Sequence, residues 1–277
     1  VVNLEKMKGV VLKAGKLLCN YYKKGLKISY KGPRDLVTEA DVTVEKFIKE
    51  ELYKYYPEID FLGEESSTGM ENKERIFILD PLDGTTNFAH QFPFFCISLA
   101  YVEDYDIKIG MVYDPLRQEL FYAKRGAGAF LNGKKISVSN TTELKKGLIA
   151  TGFPYADDTV SKSLNYFNTI LPFCQGVRRA GAAAVDLVYT ACGRFDGFFE
   201  LNLKAWDVAA GILIVRESGG VVTDLAGKPS TPYDGNILAT NGLIHHEMLK
   251  LVELADKNFP EFETLYRRLV FDKDKRD

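Results

Sequence analysis

The chain has 277 residues, room for one large α/β domain or two smaller ones at roughly 150 residues each. Hydrophobic residues make up 46% and charged residues 27%, which excludes disorder over most of the length. With 36 basic against 38 acidic side chains the net charge is −2, so no basic surplus points to a nucleic-acid or acidic-membrane partner.

The four cysteines fall at 19, 96, 174 and 192, without a Cys-x-x-Cys pair or a histidine at zinc spacing. Cys19, Cys96 and Cys192 lie among apolar neighbours and read as reduced core thiols, which fits a cytoplasmic protein. The chain opens Val-Val-Asn-Leu-Glu-Lys, with no basic stretch leading into an apolar run, so no signal peptide is expected. No apolar segment approaches the ~20 residues that span a bilayer.

Apolar residues at Leu4, Met7, Val10, Val11, Ala14, Leu17 and Leu18 predict a long amphipathic helix closing near Gly25. A polar, irregular stretch follows from Lys31 to Asp41. A second helix carries its stripe at Val44, Phe47, Ile48, Leu52 and Tyr55 and ends at Pro57. Residues 59–62 and 76–79 read as short buried strands, each running directly into acidic residues. Strands at 95–102, 107–113 and 119–123 form a meander joined by turn chemistry. Gly126 to Gly133 is a glycine-punctuated turn without the third glycine of a dinucleotide loop.

Beyond residue 147, strands and helices alternate. Strands are predicted at 148–151, 176–178, 195–200, 221–224 and 237–240. Helices are predicted at 160–171, 181–192 and 206–217, with a last one from about His245. The pattern predicts an α+β or layered α/β protein. It divides into two lobes, about 1–146 and 147–277, that share one active-site cleft.

The acids carry the chemical information. Glu64 and Glu65 follow one strand, Asp80 follows another with Asp83 three residues on, and Asp207 opens a helix. Residues just past strand ends point into the ligand crevice of an α/β protein. Carboxylates gathered there need cations, and hard oxygen ligands select Mg²⁺, Mn²⁺ or Ca²⁺. In Asp80-Pro-Leu-Asp-Gly-Thr-Thr-Asn-Phe88, Pro81 restricts the turn and Gly84 allows close backbone approach. Thr85 and Thr86 begin a short helix whose free N–H groups suit a phosphate. Together these features describe metal-assisted phosphoryl chemistry.

Other nucleophiles fail on spacing. An aspartyl-phosphate site needs two acids two residues apart, and here they are three apart. Cys-x₅-Arg is absent, because Ala180 and Phe198 stand six residues after Cys174 and Cys192. No Gly-x-Ser-x-Gly elbow occurs. The only histidines are His90, His245 and His246, and the adjacent pair is expected on the surface, so a histidine-rich zinc site is not expected.

Gly63-Glu-Glu-Ser66, the Asp80–Phe88 segment and Trp206-Asp-Val-Ala-Ala-Gly211 together resemble the signature set of the inositol monophosphatase family. Asp35-Leu-Val-Thr-Glu-Ala-Asp41, Gly126 to Gly133 and Ser218-Gly-Gly-Val-Val extend the resemblance to residues 5–255. It implies an α/β, layered αβαβα sandwich of the inositol monophosphatase / fructose-1,6-bisphosphatase type, usually a homodimer. It also implies Mg²⁺-dependent phosphate-monoester hydrolysis, often Li⁺-inhibited, with two or three ions per site and Mn²⁺ as an alternative.

By the same resemblance, Glu64, Asp80 and the Leu82 carbonyl hold one metal, while Asp80, Asp83 and Asp207 hold a second. Glu64 helps place a third. Asp41 and Thr85 orient and deprotonate the attacking water, and the N–H groups of Gly84 and Thr85 bind phosphate.

Glu200 matches the polyol-binding glutamate. Gly181, Ala182 and Ala183 match a segment beside the substrate where many members carry a hydroxyl at the middle position, which Ala182 lacks. Arg178 and Arg179 either reach a second phosphate or pair with surface acids. The segment from Lys31 to Asp35 is one residue shorter than in animal members, and the tail from Phe271 is a solvated charged end.

The expected substrate is myo-inositol-1(or 4)-monophosphate, a small phosphorylated polyol. The alternatives are fructose-1,6-bisphosphate, 3′-phosphoadenosine 5′-phosphate or NADP, and a catalytically silent binding or regulatory protein of the same fold.

Overall fold

The computed structural model describes residues 2–24, 28–30, 36–66, 74–154 and 157–271. The segment 31–35 and the tail beyond 271 lie outside them. Helix α1 (Leu4–Lys24) buries Met7, Val10, Val11, Ala14 and Leu18, a stripe at the three- and four-residue spacing the sequence shows. A small antiparallel pair, β1 (Ile28–Tyr30) and β2 (Leu36–Thr38), then leads into α2 (Glu39–Tyr53). The predicted irregular stretch is therefore partly strand, and its last residue, Asp41, lies in the first turn of α2.

The chain continues with β3 (Asp60–Gly63), β4 (Arg75–Asp83), the short α3 (Thr85–Ala89), β5 (Cys96–Glu103), β6 (Asp106–Asp114), β7 (Glu119–Lys124), β8 (Ala129–Leu131) and β9 (Lys134–Lys135). Among the described residues these strands form a seven-stranded sheet in sequence order. Every pairing is antiparallel except β3 with β4. Gly126 to Gly133 is thus more than a turn. Asn132 and Gly133, both at positive φ, close a β8–β9 hairpin.

Then follow β10 (Leu148–Thr151), α4 (Asp157–Ile170), β11 (Gly176–Arg178), α5 (Ala183–Ala191), β12 (Gly197–Glu200), α6 (Ala205–Glu217), β13 (Val221–Thr223), β14 (Ile237–Thr240) and α7 (His245–Phe271). Among the described residues the five strands of this stretch form a second sheet in the order β11-β10-β12-β14-β13. Helix α5 begins two residues later than predicted, because Gly181 takes φ +88° and breaks the helical path.

Side-chain alternation stacks these elements into five layers. Along β4, Phe77 and Leu79 face α1 and α2, while Ile76 and Ile78 face α5 and α6. Along β12, Phe198 joins the α5–α6 layer and Phe199 joins α4 and α7. The order is α1/α2, large sheet, α5/α6, small sheet, α4/α7, which is the expected αβαβα sandwich. Among the described residues no helix is long and apolar enough to cross a membrane.

Two sequence expectations need correction. His245 is only 8% exposed, because its ring nitrogens lie 3.1 Å and 3.0 Å from the hydroxyls of Thr223 and Thr240. Only His246 of the pair is exposed. Of the cysteines expected in the core, Cys96 is buried, but Cys19 and Cys192 are half-buried.

The middle layer is built for close approach. A Cβ on Gly110 of β6 would stand 2.7 Å from the Ala210 carbonyl oxygen of α6, a backbone atom that cannot swing away. Gly110→Ala is expected to destabilise the fold by about 1–3 kcal/mol through overpacking. A leftward shift of the urea unfolding midpoint at unchanged slope checks this.

Candidate active site

The site sits where β4 loses a partner. Strand β3 pairs with β4 only as far as Gly63 opposite Leu79. Beyond that point β4 keeps β5 alone, and its register against β5 shifts between Asp80 and Asp83. Pro81 is tolerated there because a bulge at a free edge needs no N–H from it. The strand therefore runs four residues past its predicted end. Its irregularity, rather than a loop after the strand, places both aspartates.

Three buried or half-buried acids are each tied by a backbone N–H. Asp80 Oδ1 accepts from Leu82 N at 2.9 Å. Asp83 Oδ2 accepts from Ala184 N of α5 at 2.7 Å, with the Cys96 thiol 3.7 Å away. Asp207 Oδ2 accepts from Lys204 N at 2.6 Å, at the start of α6. Ser98 Oγ donates to the Trp206 carbonyl at 3.1 Å and fastens that helix start to β5.

Burial, then the charges of Glu64, Asp83 and Asp207, push Asp80 well above the usual carboxylate range. Burial lifts Asp83 to about 6, against the pull of its N–H donors. Burial likewise lifts Asp207 to about 7, with Asp83 adding to it and Lys204 opposing. Acids so displaced have too little positive charge around them, the condition a cation relieves.

The donors on hand are carboxylates and the Leu82 carbonyl, a hard oxygen set that fits Mg²⁺ or Mn²⁺. Among the described residues, no three His, Cys, Asp or Glu side chains stand preset as a metal cluster. The acids lie within reach of one another's charge and are turned toward backbone donors.

Thr85 Oγ1 lies 3.1 Å from Asp41 Oδ1 and 3.0 Å from the Leu82 carbonyl, two acceptors for its one proton. Asp41 is fully buried on α2. Gly84 precedes Thr85 at φ +94°, and a Cβ on it would lie 2.9 Å from the Phe94 carbonyl. Only glycine fits there without strain.

These residues open on a cleft of about 460 Å³, lined among others by Glu64, Asp83, Gly84, Arg179, Glu200 and Asp207. Gly181, Ala182 and Ala183 form part of its wall. Glu200, half-buried, is raised to about 8 by burial, then by Asp207 and Asp83, with Arg179 opposing. Arg178 and Arg179 diverge. Arg179 lines the cleft, whereas Nη1 of the exposed Arg178 donates to the Val177 carbonyl at 3.1 Å.

The sequence reading missed three participants. Glu45 of α2, 3% exposed, accepts from Glu65 N at 2.9 Å, and its carboxylate fills the space above Gly63. It thereby fixes the turn that carries Glu64. Asn87 donates to the Phe94 and Ala180 carbonyls, both at 2.8 Å, joining α3 to the Gly181 turn. Lys204 adds a second cation to the cleft. Glu45 was detectable as an acid inside an apolar helical stripe.

Residues 4–257 match the family model of the inositol monophosphatase family. The inositol-1-monophosphatase of Synechocystis sp. is 43% identical over 256 residues, covering 91% of this chain and 89% of that protein. The putative Nus factor SuhB of Neisseria meningitidis serogroup B is 44% identical over 229 residues, covering 82% and 88%. The fructose-1,6-bisphosphatase/inositol-1-monophosphatase of Thermotoga maritima is 39% identical over 221 residues, covering 80% and 84%. Among solved structures, the extragenic suppressor protein SuhB of Bartonella henselae has a TM-score of 0.85 at 42% identity, covering 90% of this chain and 97% of that one. An IMPase/NADP phosphatase solved with Mg²⁺ and phosphate has a TM-score of 0.78 at 28% identity, covering 86% and 90%.

The raised acids set a pH dependence. Asp83, Asp207 and Glu200 hold protons in the fold at pH values where the unfolded chain has lost them. Stability of the metal-free protein therefore falls as pH rises from about 4, where unfolded carboxyls ionise. For these three groups the loss runs through about 8, the highest of their folded values. Thermal unfolding of metal-free protein between about pH 5 and pH 8 should show a falling Tm, and added Mg²⁺ should raise Tm most at the alkaline end. A Tm that rises across that window would contradict the charge cluster.

Proposed function

Because the chain belongs to the inositol monophosphatase family, we propose that it is a Mg²⁺-dependent phosphatase hydrolysing myo-inositol-1(or 4)-monophosphate to inositol and phosphate. One observation carries the reading: the Thr85–Asp41 hydrogen bond follows directly on Gly84, which lines a cleft together with Glu64, Asp83, Asp207 and Glu200. In this reading Glu64, Asp80 and the Leu82 carbonyl hold one ion, and Asp80, Asp83 and Asp207 hold a second. Glu64 helps to place a third.

Bound divalent ions supply Lewis-acid charge neutralisation and a water acidic enough to ionise near neutral pH. The chain's own residues do the positioning. Thr85 Oγ1 would take a proton from the attacking water as it passes its own to the Asp41 carboxylate, so the proton ends on Asp41. The backbone N–H groups of Gly84 and Thr85 hold the phosphate oxygens, so that water and leaving oxygen stand in line. Gly181, Ala182 and Ala183 wall the substrate, and Glu200 accepts hydroxyl protons from the polyol.

We propose further that residues 1–146 and 147–277 act as two lobes around this one cleft, in a cytoplasmic homodimer. Cleft-lining residues from both halves support the first point, and the family resemblance supports the second.

Arg179 and Lys204 in the cleft favour a second reading, a substrate with a further phosphate such as fructose-1,6-bisphosphate. The bifunctional name of the Thermotoga maritima relative agrees with it. The Nus-factor name of another relative keeps a non-catalytic regulatory role in view.

Comparing kcat/KM for inositol monophosphate, fructose-1,6-bisphosphate, 3′-phosphoadenosine 5′-phosphate and NADP, with and without Mg²⁺, separates these readings. Inositol monophosphate should lead, and negligible turnover of all four would favour the regulatory role. Thr85→Ala should lower kcat by about 100-fold or more with Mg²⁺ affinity nearly unchanged. Asp80→Asn should abolish turnover in a folded protein, since an acid shared by two ions loses its charge.

A further inference from the structure

Among the described residues three glycines line the cleft, Gly84, Gly152 and Gly181. Gly84 and Gly181 stand at positive φ, where glycine alone is free of strain, but Gly152 does not. Its backbone suits any residue, so what glycine supplies at 152 is space. A Cβ built there would overlap the Glu200 carboxylate, both oxygens and the carbon between them, far inside van der Waals contact. Those three atoms are the nearest it would meet, and they are the far end of one flexible side chain.

The backbone around this seat is held firmly. Gly152 follows β10 directly, and the parallel ladder of β10 with β12 closes at Thr151 opposite Phe199. The next residue on one strand is Gly152 and on the other Glu200. The Thr151 hydroxyl donates to the Phe199 carbonyl at 2.8 Å and ties the two strand ends together. On its other side Glu200 is in register with Ile237 of β14. Neighbouring strands thus fix the Glu200 backbone from both sides and leave only its side-chain torsions free. Alternation along β12 turns Glu200 to the face of Phe198, where α5 packs and Ala182 and Ala183 wall the cleft.

An added methyl at 152 cannot share the place the carboxylate occupies. The strand ends are tied and packed interiors yield little, so the side chain of Glu200 would have to swing away from β10 and into the cleft. Its oxygens would then meet a hydroxylated ligand from another direction and fill room that ligand needs.

We propose that Gly152 is a specificity-determining position: by lacking a side chain it seats the Glu200 carboxylate against the end of β10, which sets the direction in which Glu200 accepts hydroxyl protons from a phosphorylated polyol. Gly152 acts through Glu200 and has no part in the displacement at phosphorus. The proposal rests on the polyol-phosphate reading above and adds to it the residue that aims the selecting glutamate.

The test uses the full chain with Mg²⁺ and two esters, inositol monophosphate and p-nitrophenyl phosphate, whose leaving group bears no polyol hydroxyls. Gly152→Ala should raise KM for inositol monophosphate about tenfold at nearly constant kcat, the worth of one hydrogen bond to a charged group. The ratio of kcat/KM for inositol monophosphate to that for p-nitrophenyl phosphate should fall by the same factor. The urea midpoint should not fall, because the methyl displaces a flexible side chain and leaves the core as it is. In a Glu200→Ala background, Gly152→Ala should add nothing, because the group it displaces is gone.

An unaltered KM in folded Gly152→Ala, or equal losses on both esters, overturns the proposal. Losses that multiply in the double variant also overturn it and make Gly152 a matter of strand-end packing. Should Gly152→Ala lower the urea midpoint or fail to fold, relief of that defect by Glu200→Ala supports the seat, and no relief overturns it. A wild-type protein that cleaves p-nitrophenyl phosphate but not inositol monophosphate removes the polyol reading and this inference with it. Wild-type turnover of inositol monophosphate that Gly152→Ala leaves unaltered removes the inference alone.

Discussion

Repulsion among carboxylates that the fold will not let apart is the constraint from which the rest of the molecule follows. Asp80 and Asp83 come from one strand, Asp207 from a helix in the other half, and Glu64 from a third element, yet each feels the others' charge. Acids brought together this way would scatter if left to loops. Each of the three aspartates is instead held by a short backbone N–H bond, at 2.9, 2.7 and 2.6 Å. Hydrogen bonds to an ionised acceptor are the strong ones. They work here against both desolvation and like charge, which is why the acids remain displaced even when satisfied.

Holding charges in that relation requires the middle helical layer to be placed tightly. Helix α6 lies against β6 with only Gly110 beneath Ala210, and a Cβ on Gly211 would strike Leu187 of α5 from 2.5 Å. The small residues are therefore at the points where α6 meets the sheet and where it meets α5. Packed interiors transmit displacement rather than absorb it. A shift in α6 would move Asp207 relative to Asp83 by the same amount. The layer order that buries apolar surface is thus also what sets the spacing of the acids.

Much of this was legible in the sequence, and the exceptions share a cause. Acids at strand ends, the order of the motifs and the periodicity of α1 were visible because they are local. The extension of β4 through Pro81 was not, since it depends on where β3 stops pairing. His245 is buried because two hydroxyls, 22 and 5 residues away, meet its ring. Neither spacing is a motif. The β8–β9 hairpin is different, for Asn132-Gly133 is a strong local turn signal within the glycine-punctuated stretch. Glu45 is detectable as an acid inside the α2 stripe, but its role is not. A buried acid inside an apolar helical face looks like a pattern defect until the group it serves is in place.

Ala182 shows how the two halves of the site depend on one another. Position 182 is the residue before the first turn of α5, where a side-chain oxygen normally accepts an N–H of the new helix. Ala182 has none, and α5 has no side-chain cap from its own sequence. The N–H of Ala184 is satisfied instead by Asp83, 101 residues earlier in the chain. The missing hydroxyl, which read as a lost contact to substrate, is thus answered by a carboxylate from the large sheet. A helix start favours negative charge, so α5 offsets part of the repulsion that Asp83 suffers. Capping the helix and steadying the acid are one interaction, made between α5 and the large sheet.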